Sequence, residues 1–219
     1  MKVRPKLLDL FCCAGGAAMG YHRAGFEVTG VDIAPQKNYP FEFVQTDALE
    51  YLAEHGKNFD VIHASPPCQE YSVTKALPNV GEHPDLVEPV RDLLLASGRP
   101  FVIENVPGAP LQNPLLLCGS MFGLPLIRHR LFECRPPIWF PPGPCQCNHL
   151  YTASHRGFSA FNNGATAITI AGNNYSLADG LRAMGIDWMT KKELSQAIPP
   201  AYTEFIGRHI MQRTLQGVA

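Results

Sequence analysis

The chain has 219 residues, 46% of them hydrophobic and only 17% charged, with a formal net charge of −1. This composition excludes intrinsic disorder, which needs low hydrophobicity and high net charge, and it gives no support to a strongly basic, non-specific nucleic-acid binder. The length suits one domain, or one with a small appendage, and 20 prolines with 19 glycines predict many fixed loops. No run of 18 apolar residues occurs, and the N-terminal MKVRPKLLDLF lacks the apolar stretch of a signal peptide. A soluble, cytoplasmic protein without a membrane partner is expected. The seven cysteines are odd in number and two are adjacent, so a disulfide framework is not expected; each is a question of core, metal or chemistry.

In chain order, residues 6–11 (KLLDLF) form a short apolar run followed at once by CCAGGAAMG. YHRAGF then leads into EVTGVDIAP, a second apolar run that ends in an acid. Strand, glycine-rich turn, helix, strand is the pattern of a parallel βαβ unit. Residues 41–47 and 59–64 predict two further strands, with a helix between them. Apolar spacing predicts a helix over 86–97, ended by Gly98. PFVIENV (100–106) is a continuous apolar strand of the kind buried on both faces. The alternation predicts an open, mainly parallel α/β sheet with helices on both faces and ligands at the carboxyl ends of its strands. Beyond residue 119 a short helix and a strand precede an aperiodic stretch, 134–165, read as an irregular insert. Residues 176–195 are helical with a break at Asp187-Trp188, and Pro199-Pro200 opens a last helix.

Three strand ends carry the candidate chemistry. In the turn Asp9–Gly16, small residues let the backbone approach a ligand, and the next helix aims its N–H groups at it. A plain tight turn explains that sequence as well. Asp32, about twenty residues on, could accept from both ribose hydroxyls, and Asp47 ends the third strand in the same way. Ser65-Pro66-Pro67-Cys68 holds one cysteine at the sheet edge, where a nucleophile would stand, whereas Cys118 in LLLCGS fits an inert place in an apolar strand. Glu104, at the end of a buried strand, must be paired or protonated; a salt-bridged structural role and a proton-donor role both fit.

DLFCCAGG, Asp32, Asp47, PPCQ, ENV and RHR stand in the order and rough spacing of the C5-cytosine methyltransferases, and the chain resembles that family over residues 6 to about 132, and more loosely over 172–210. The resemblance implies a Rossmann-like fold that uses S-adenosylmethionine and acts on double-stranded DNA. It places Phe11 on the adenine, Gly15 and Gly16 beside the methionine moiety, Asp32 on the ribose, Asp47 on the adenine amino group, and Ile33, Pro67 and Ile198 along the cofactor. It makes Cys68 the nucleophile for cytosine C6, Glu104 the partner of N3 and the exocyclic amine, Arg130 the partner of the cytosine carbonyl, and Arg128 a nearby phosphate contact. Residues 69–85 would close over a base taken out of the duplex.

Departures from the family pattern are Cys13 in a usual glycine place, Leu126 in a glutamine place, Gln196 in an asparagine place and Ile198 in a valine place. The resemblance divides the chain into a catalytic domain, 1–132 with 173–219, and a small target-recognition insert, 133–172. So short an insert implies relaxed specificity or an accessory specificity partner. Within it, Cys134, Cys145, Cys147 and His149 could hold structural zinc, with free cysteines and a solvated histidine as the alternative. Arg135, Trp139, Phe140, His155 and Arg156 could grip phosphates and bases, or form an ordinary polar loop. Two rival functions remain beside DNA methylation: cytosine methylation in tRNA, and a catalytically weak binding protein on the same fold. An intact Cys68 with Glu104 counts against the last.

Overall fold

The computed structural model describes residues 3–67, 85–150, 152, 159–171 and 174–215. Cys68, almost all of the 69–85 segment, His155 and Arg156 lie outside the described residues. Among the described residues seven strands form one sheet: β1 (Lys6–Leu10), β2 (Glu27–Asp32), β3 (Glu42–Gln45), β4 (Val61–Ala64), β5 (Phe101–Asn105), β6 (Leu115–Leu117) and β7 (Arg130–Arg135), in the order β3-β2-β1-β4-β5-β7-β6. The first five are parallel neighbours, and β7 runs antiparallel between β5 and β6. The helices are α1 (Gly16–Ala24), α2 (Ala48–His55), α3 (Val87–Ser97), α4 (Leu177–Met184), α5 (Lys191–Gln196) and α6 (Pro200–Leu215). The expected α/β architecture is therefore present. β6 is an addition: three leucines are too few to show a period, and it exists because β7 supplies its hydrogen bonds.

Alternation along the strands builds two cores. Leu7, Val61 and Val102 face the side covered by α1 and α6, while Leu8, Leu10, Ile62, Ala64, Phe101 and Ile103 face α2 and α3. Each such valine, leucine, isoleucine or phenylalanine side chain, fully buried, contributes about 1.5–3 kcal/mol. Helices α1 and α6 sit unusually close because Gly20 carries no side chain; a Cβ there would lie 2.2 Å from the Pro200 carbonyl oxygen and 2.1 Å from Thr203 Oγ1. On the opposite face one polar contact ties α3 to β7. Arg91 and Glu133 are 2% and 1% exposed, and Arg91 Nε and NH2 donate to the Glu133 carboxylate at 3.1 and 2.8 Å.

A third cluster gathers the later chain. Ala165, Ile168 and Ile170 pack with Met184, Ile186 and Leu194, and with Leu126 and Ala14 from the earlier part. The expected break between the two helices of 176–195 is real. Gly185 ends α4 in a left-handed conformation, and Thr190 with Glu193 forms a reciprocal capping box at the start of α5. Among the described residues no helix is long and apolar enough to cross a membrane.

Candidate active site

The same alternation that builds the cores lines up three polar side chains. Asp9 sits opposite His63 in the β1–β4 register, and His63 opposite Val102 in β4–β5, with Glu104 two residues further along β5. All three share the face of Leu7, Val61 and Val102, displaced toward the carboxyl ends of their strands. A cavity of about 320 Å³ opens there. It is bounded by Phe11–Ala14, by Asp32 and Ile33, by Ser65–Pro67, by Glu104 with Arg130, and by residues 195–198. This is the crevice in which open α/β sheets bind ligands.

The turn after β1 is shaped to admit a ligand. Phe11, Cys13 and Gly15 all have positive φ (57°, 45° and 81°), which turns the backbone sharply into α1. Cys13 thus occupies a left-handed position that disfavours a β-carbon, which accounts physically for the glycine usual in that place. Gly16 makes room in another way, since a Cβ there would stand 2.5 Å from the Ile198 carbonyl oxygen. The Asp32 carboxylate accepts the Cys13 and Ala34 backbone N–H groups, one on each oxygen at 3.0 Å. An ionised carboxylate offers about four lone-pair sites, so both oxygens keep capacity for a pair of hydroxyls. Exposed Ile33 forms an apolar rim beside it. A nucleoside-bearing cofactor therefore fits these residues.

Phe11, Gly16, Asp32, Ile33, Pro67 and Ile198 all stand in the cavity wall, as does Gln196. Gly15 and Asp47 do not. Gly15 packs against Tyr39 and Pro40, and Asp47 is the N-cap of α2, with Oδ1 accepting the Leu49 and Glu50 N–H groups at 2.8 and 3.0 Å. Trp188 closes the other side of the turn by donating from Nε1 to the Ala14 carbonyl at 2.9 Å.

Glu104 is 6% exposed, and its Oε1 lies 3.0 Å from Arg130 Nε. Burial pushes its carboxyl above the usual carboxylate range, against the pull of Arg130 and then Arg128, and Ser65 also hydrogen-bonds it. Behind Ser65 runs a chain that the sequence reading missed. Ser65 Oγ is 2.9 Å from His63 Nε2, and His63 Nδ1 is 3.0 Å from the Tyr21 hydroxyl. Burial alone lowers His63 to about 3, so the imidazole is neutral at physiological pH. With its proton on Nε2, Tyr21 donates to Nδ1, His63 donates to Ser65, and the serine hydroxyl is left to donate to Glu104. The signal was available: a histidine inside the apolar run VIHA must find partners.

The other expected site residues separate. Arg128 and Arg130 do not share a task, because β7 starts only at Arg130. Arg128 is buried, and its NH1 and NH2 each donate at 2.9 Å to backbone carbonyls, those of Ile170 and Ser195. It braces the later chain against the sheet instead of turning outward to a phosphate. The metal quartet read from the sequence is also divided. Cys134 points into the core beside α6, where burial pushes its thiol up to about 12, and His149 is exposed on a short 3-10 turn. Both fall away from Cys145 and Cys147. Strand β7 continues through Cys134 and Arg135, past the point where the insert was placed.

Comparison with known proteins follows the same division of the chain. A family model, C-5 cytosine-specific DNA methylase, matches residues 5–113. The type II methyltransferase M.FnuDI of Fusobacterium nucleatum is 32% identical over 112 residues, 47% of this chain and 33% of that protein. The chain spans between 29% and 33% of the length of the curated relatives it matches. Among solved structures, the Entamoeba histolytica methyltransferase EhMeth aligns over 100% of both chains with a TM-score of 0.61 and 14% identity. The S. pombe Dnmt2 methyltransferase aligns over 93% of this chain and 98% of that one, with a TM-score of 0.58 and 13% identity. At such identities these two speak for the fold. Residues 5–113, which hold the glycine turn, Asp32, the Pro66-Pro67-Cys68 segment and Glu104, belong to the C-5 cytosine-specific DNA methylase family.

Proposed function

We propose that the chain transfers a methyl group from S-adenosylmethionine to C5 of cytosine in double-stranded DNA. The observation that carries this reading is the buried Glu104–Arg130 pair at the wall of the cavity, next to Pro67, the residue that precedes Cys68. Asp32 would hold the ribose of the cofactor and Phe11 its adenine. When bound, the cofactor supplies an electrophilic methyl group.

Cytosine C5 is too poor a nucleophile to take that methyl directly, and the protein groups remedy this. The Cys68 thiolate adds to C6, and the charge moves onto the ring toward N3. A protonated Glu104 donates to N3 as that charge develops, and burial of its carboxyl favours the protonated form. Arg130 takes the cytosine carbonyl oxygen and keeps Glu104 oriented. Once C5 is methylated, loss of its proton expels Cys68 and restores the aromatic ring. The base must leave the helix stack to reach this cavity. The stretch 133–172 serves as a reduced target-recognition region, and its size favours a short or relaxed site or help from an accessory partner.

Trapping tests the reading. Duplex DNA carrying 5-fluorocytosine is incubated with the protein and S-adenosylmethionine, since fluorine at C5 blocks the final elimination. A denaturation-stable adduct that vanishes in Cys68→Ala is the expected result. An adduct on similarly substituted tRNA and none on any duplex moves the substrate to RNA. No adduct on either, with cofactor bound, leaves a binding protein.

A further inference from the structure

We propose that Cys118, His129, Cys145 and Cys147 form a structural zinc site that fastens the irregular segment after β7 to the strand carrying Arg130. One ligand atom from each of these residues lies within 4.8 Å of all the others. Cys145 Sγ and Cys147 Sγ are 3.5 and 3.6 Å from His129 Nε2 and 3.2 Å from each other. A tetrahedral ion with Zn–S of about 2.3 Å and Zn–N of about 2.0–2.1 Å sets sulfur–nitrogen edges near 3.6 Å and sulfur–sulfur edges near 3.8 Å. The sulfur–nitrogen edges already have that length, and the Cys145–Cys147 pair has only to open slightly. A disulfide would need the same two sulfurs at about 2.05 Å. Three thiolates and one imidazole leave no open position, which makes the site structural and suits zinc over harder cations that prefer oxygen.

The ligands come from three places in the fold. Cys118 is fully buried just past β6, His129 immediately precedes β7, and Cys145 and Cys147 lie in the segment after β7. Residues 139–150 contribute no buried side chain, so apolar packing does not hold them in place. A metal would, by joining the segment to two fixed ligands. Ser120 already links the parts: its Oγ is 3.5 Å from both Cys118 Sγ and Cys145 Sγ, and it accepts the Gln146 N–H at 3.1 Å. The site also touches the proposed chemistry at one remove, because Arg130 NH1 donates to the His129 carbonyl at 2.8 Å. His129 is thereby a positioning residue for Arg130 as well as a ligand.

The test is metal content of the full chain, expressed with zinc, purified under reducing conditions without chelator and measured by elemental analysis. About one zinc per chain is expected. Cys145→Ser and Cys147→Ser, both at partly exposed positions, should lose it while keeping the circular dichroism of the fold. Cys134→Ala and His149→Ala should keep it. Removing zinc from the intact protein should lower its melting temperature, and one equivalent should restore it. Cobalt in place of zinc should give the intense visible absorption of a tetrahedral thiolate site. The proposal is overturned if the reduced protein holds no zinc and takes up neither metal, if all four variants retain zinc, or if Cys134 and His149 prove to be the required pair. Peptide mapping that finds Cys145 bonded to Cys147 in the protein as isolated, with no zinc uptake after reduction, would assign the pair to a disulfide instead, also against it.

Discussion

The parallel half of the sheet and the stretch that follows β7 are ordered in different ways. From β1 to β5 each strand sends alternate side chains to two cores, and Leu8, Ile62 and Ile103 are each completely buried. The later stretch has an apolar cluster of its own, with Ile168, Ile170, Met184 and Leu194, but its non-helical runs show no period and polar clasps fix them in place. Arg128 holds the Ile170 and Ser195 carbonyls, and Asp179 accepts Ser159 Oγ and the Ala160 N–H, both at 2.8 Å. A clasp fixes geometry at one point, whereas alternation fixes a whole register. The chemistry follows this contrast: the parallel half contributes Asp32, Ser65 and Glu104 from rigid strand ends, and the later stretch closes the cavity with residues 195–198.

Substitutions in the two regions should therefore differ in what they loosen. The largest effect is expected at the buried ion pair that ties α3 to β7. Arg91→Met leaves Glu133 charged and buried, at a cost of about 3–5 kcal/mol, read by urea unfolding. Adding Glu133→Leu should recover most of that loss; no recovery would mean that Arg91 stabilises through packing alone. The next effect concerns acid. His63 is held neutral when folded, with its value lowered from 6.5 to about 3, so the unfolded chain binds one more proton between those values. Stability contributed by the neutral ring is present above about pH 6.5 and is lost as pH falls toward 3, at about 1.4 kcal/mol per pH unit. Glu104, shifted upward, acts in the opposite sense: its contribution is full below the ordinary carboxylate value and fades as pH rises through the folded one. His63→Asn should flatten the acid slope between pH 6.5 and 5 in denaturant titrations.

In the later stretch a single clasp matters. Asp179→Ala should cost about 1.5–3 kcal/mol, since two hydrogen bonds to a buried carboxylate are lost together. Hydrogen exchange in that variant should rise around 159–171 and α4 while β1 and β4 stay protected; equal loosening everywhere would mean that the two regions are not separately ordered. The smallest effect belongs to Cys13, whose φ of 45° strains a residue with a β-carbon. Cys13→Gly should raise stability by about 0.5–1 kcal/mol in thermal unfolding, strain relief being partly offset by glycine's greater freedom when unfolded.

What the sequence revealed divides along the same line. The strands and helices of the parallel half were legible because periods of 2 and 3.6 are local, and acids at strand ends mark the ligand edge without any knowledge of packing. Glu104 and Asp32, picked out in that way, both stand in the cavity wall. Asp47 looked identical to Asp32 by that rule, yet helix capping claimed it. Arg128 and Arg130 looked like a pair because their spacing assumed a strand that begins only at Arg130. The gathering of Cys118 and His129 with Cys145 and Cys147 depends on β7 folding back between β5 and β6, a long-range event that no spacing encodes, so the nearer Cys134 and His149 drew attention instead. His63 and Ser65 were legible in principle, as polar residues at the end of a buried strand.

The most direct test of the proposed activity is to identify the methylated atom. Duplex DNA incubated with the protein and isotopically labelled S-adenosylmethionine is digested to nucleosides and analysed by mass spectrometry. The expected result is label in 5-methyldeoxycytidine, none with Cys68→Ala, and a drop of about 10²–10⁴-fold with Glu104→Gln. Label on an exocyclic nitrogen, or in 5-methyldeoxycytidine at undiminished rate from Cys68→Ala, would contradict it.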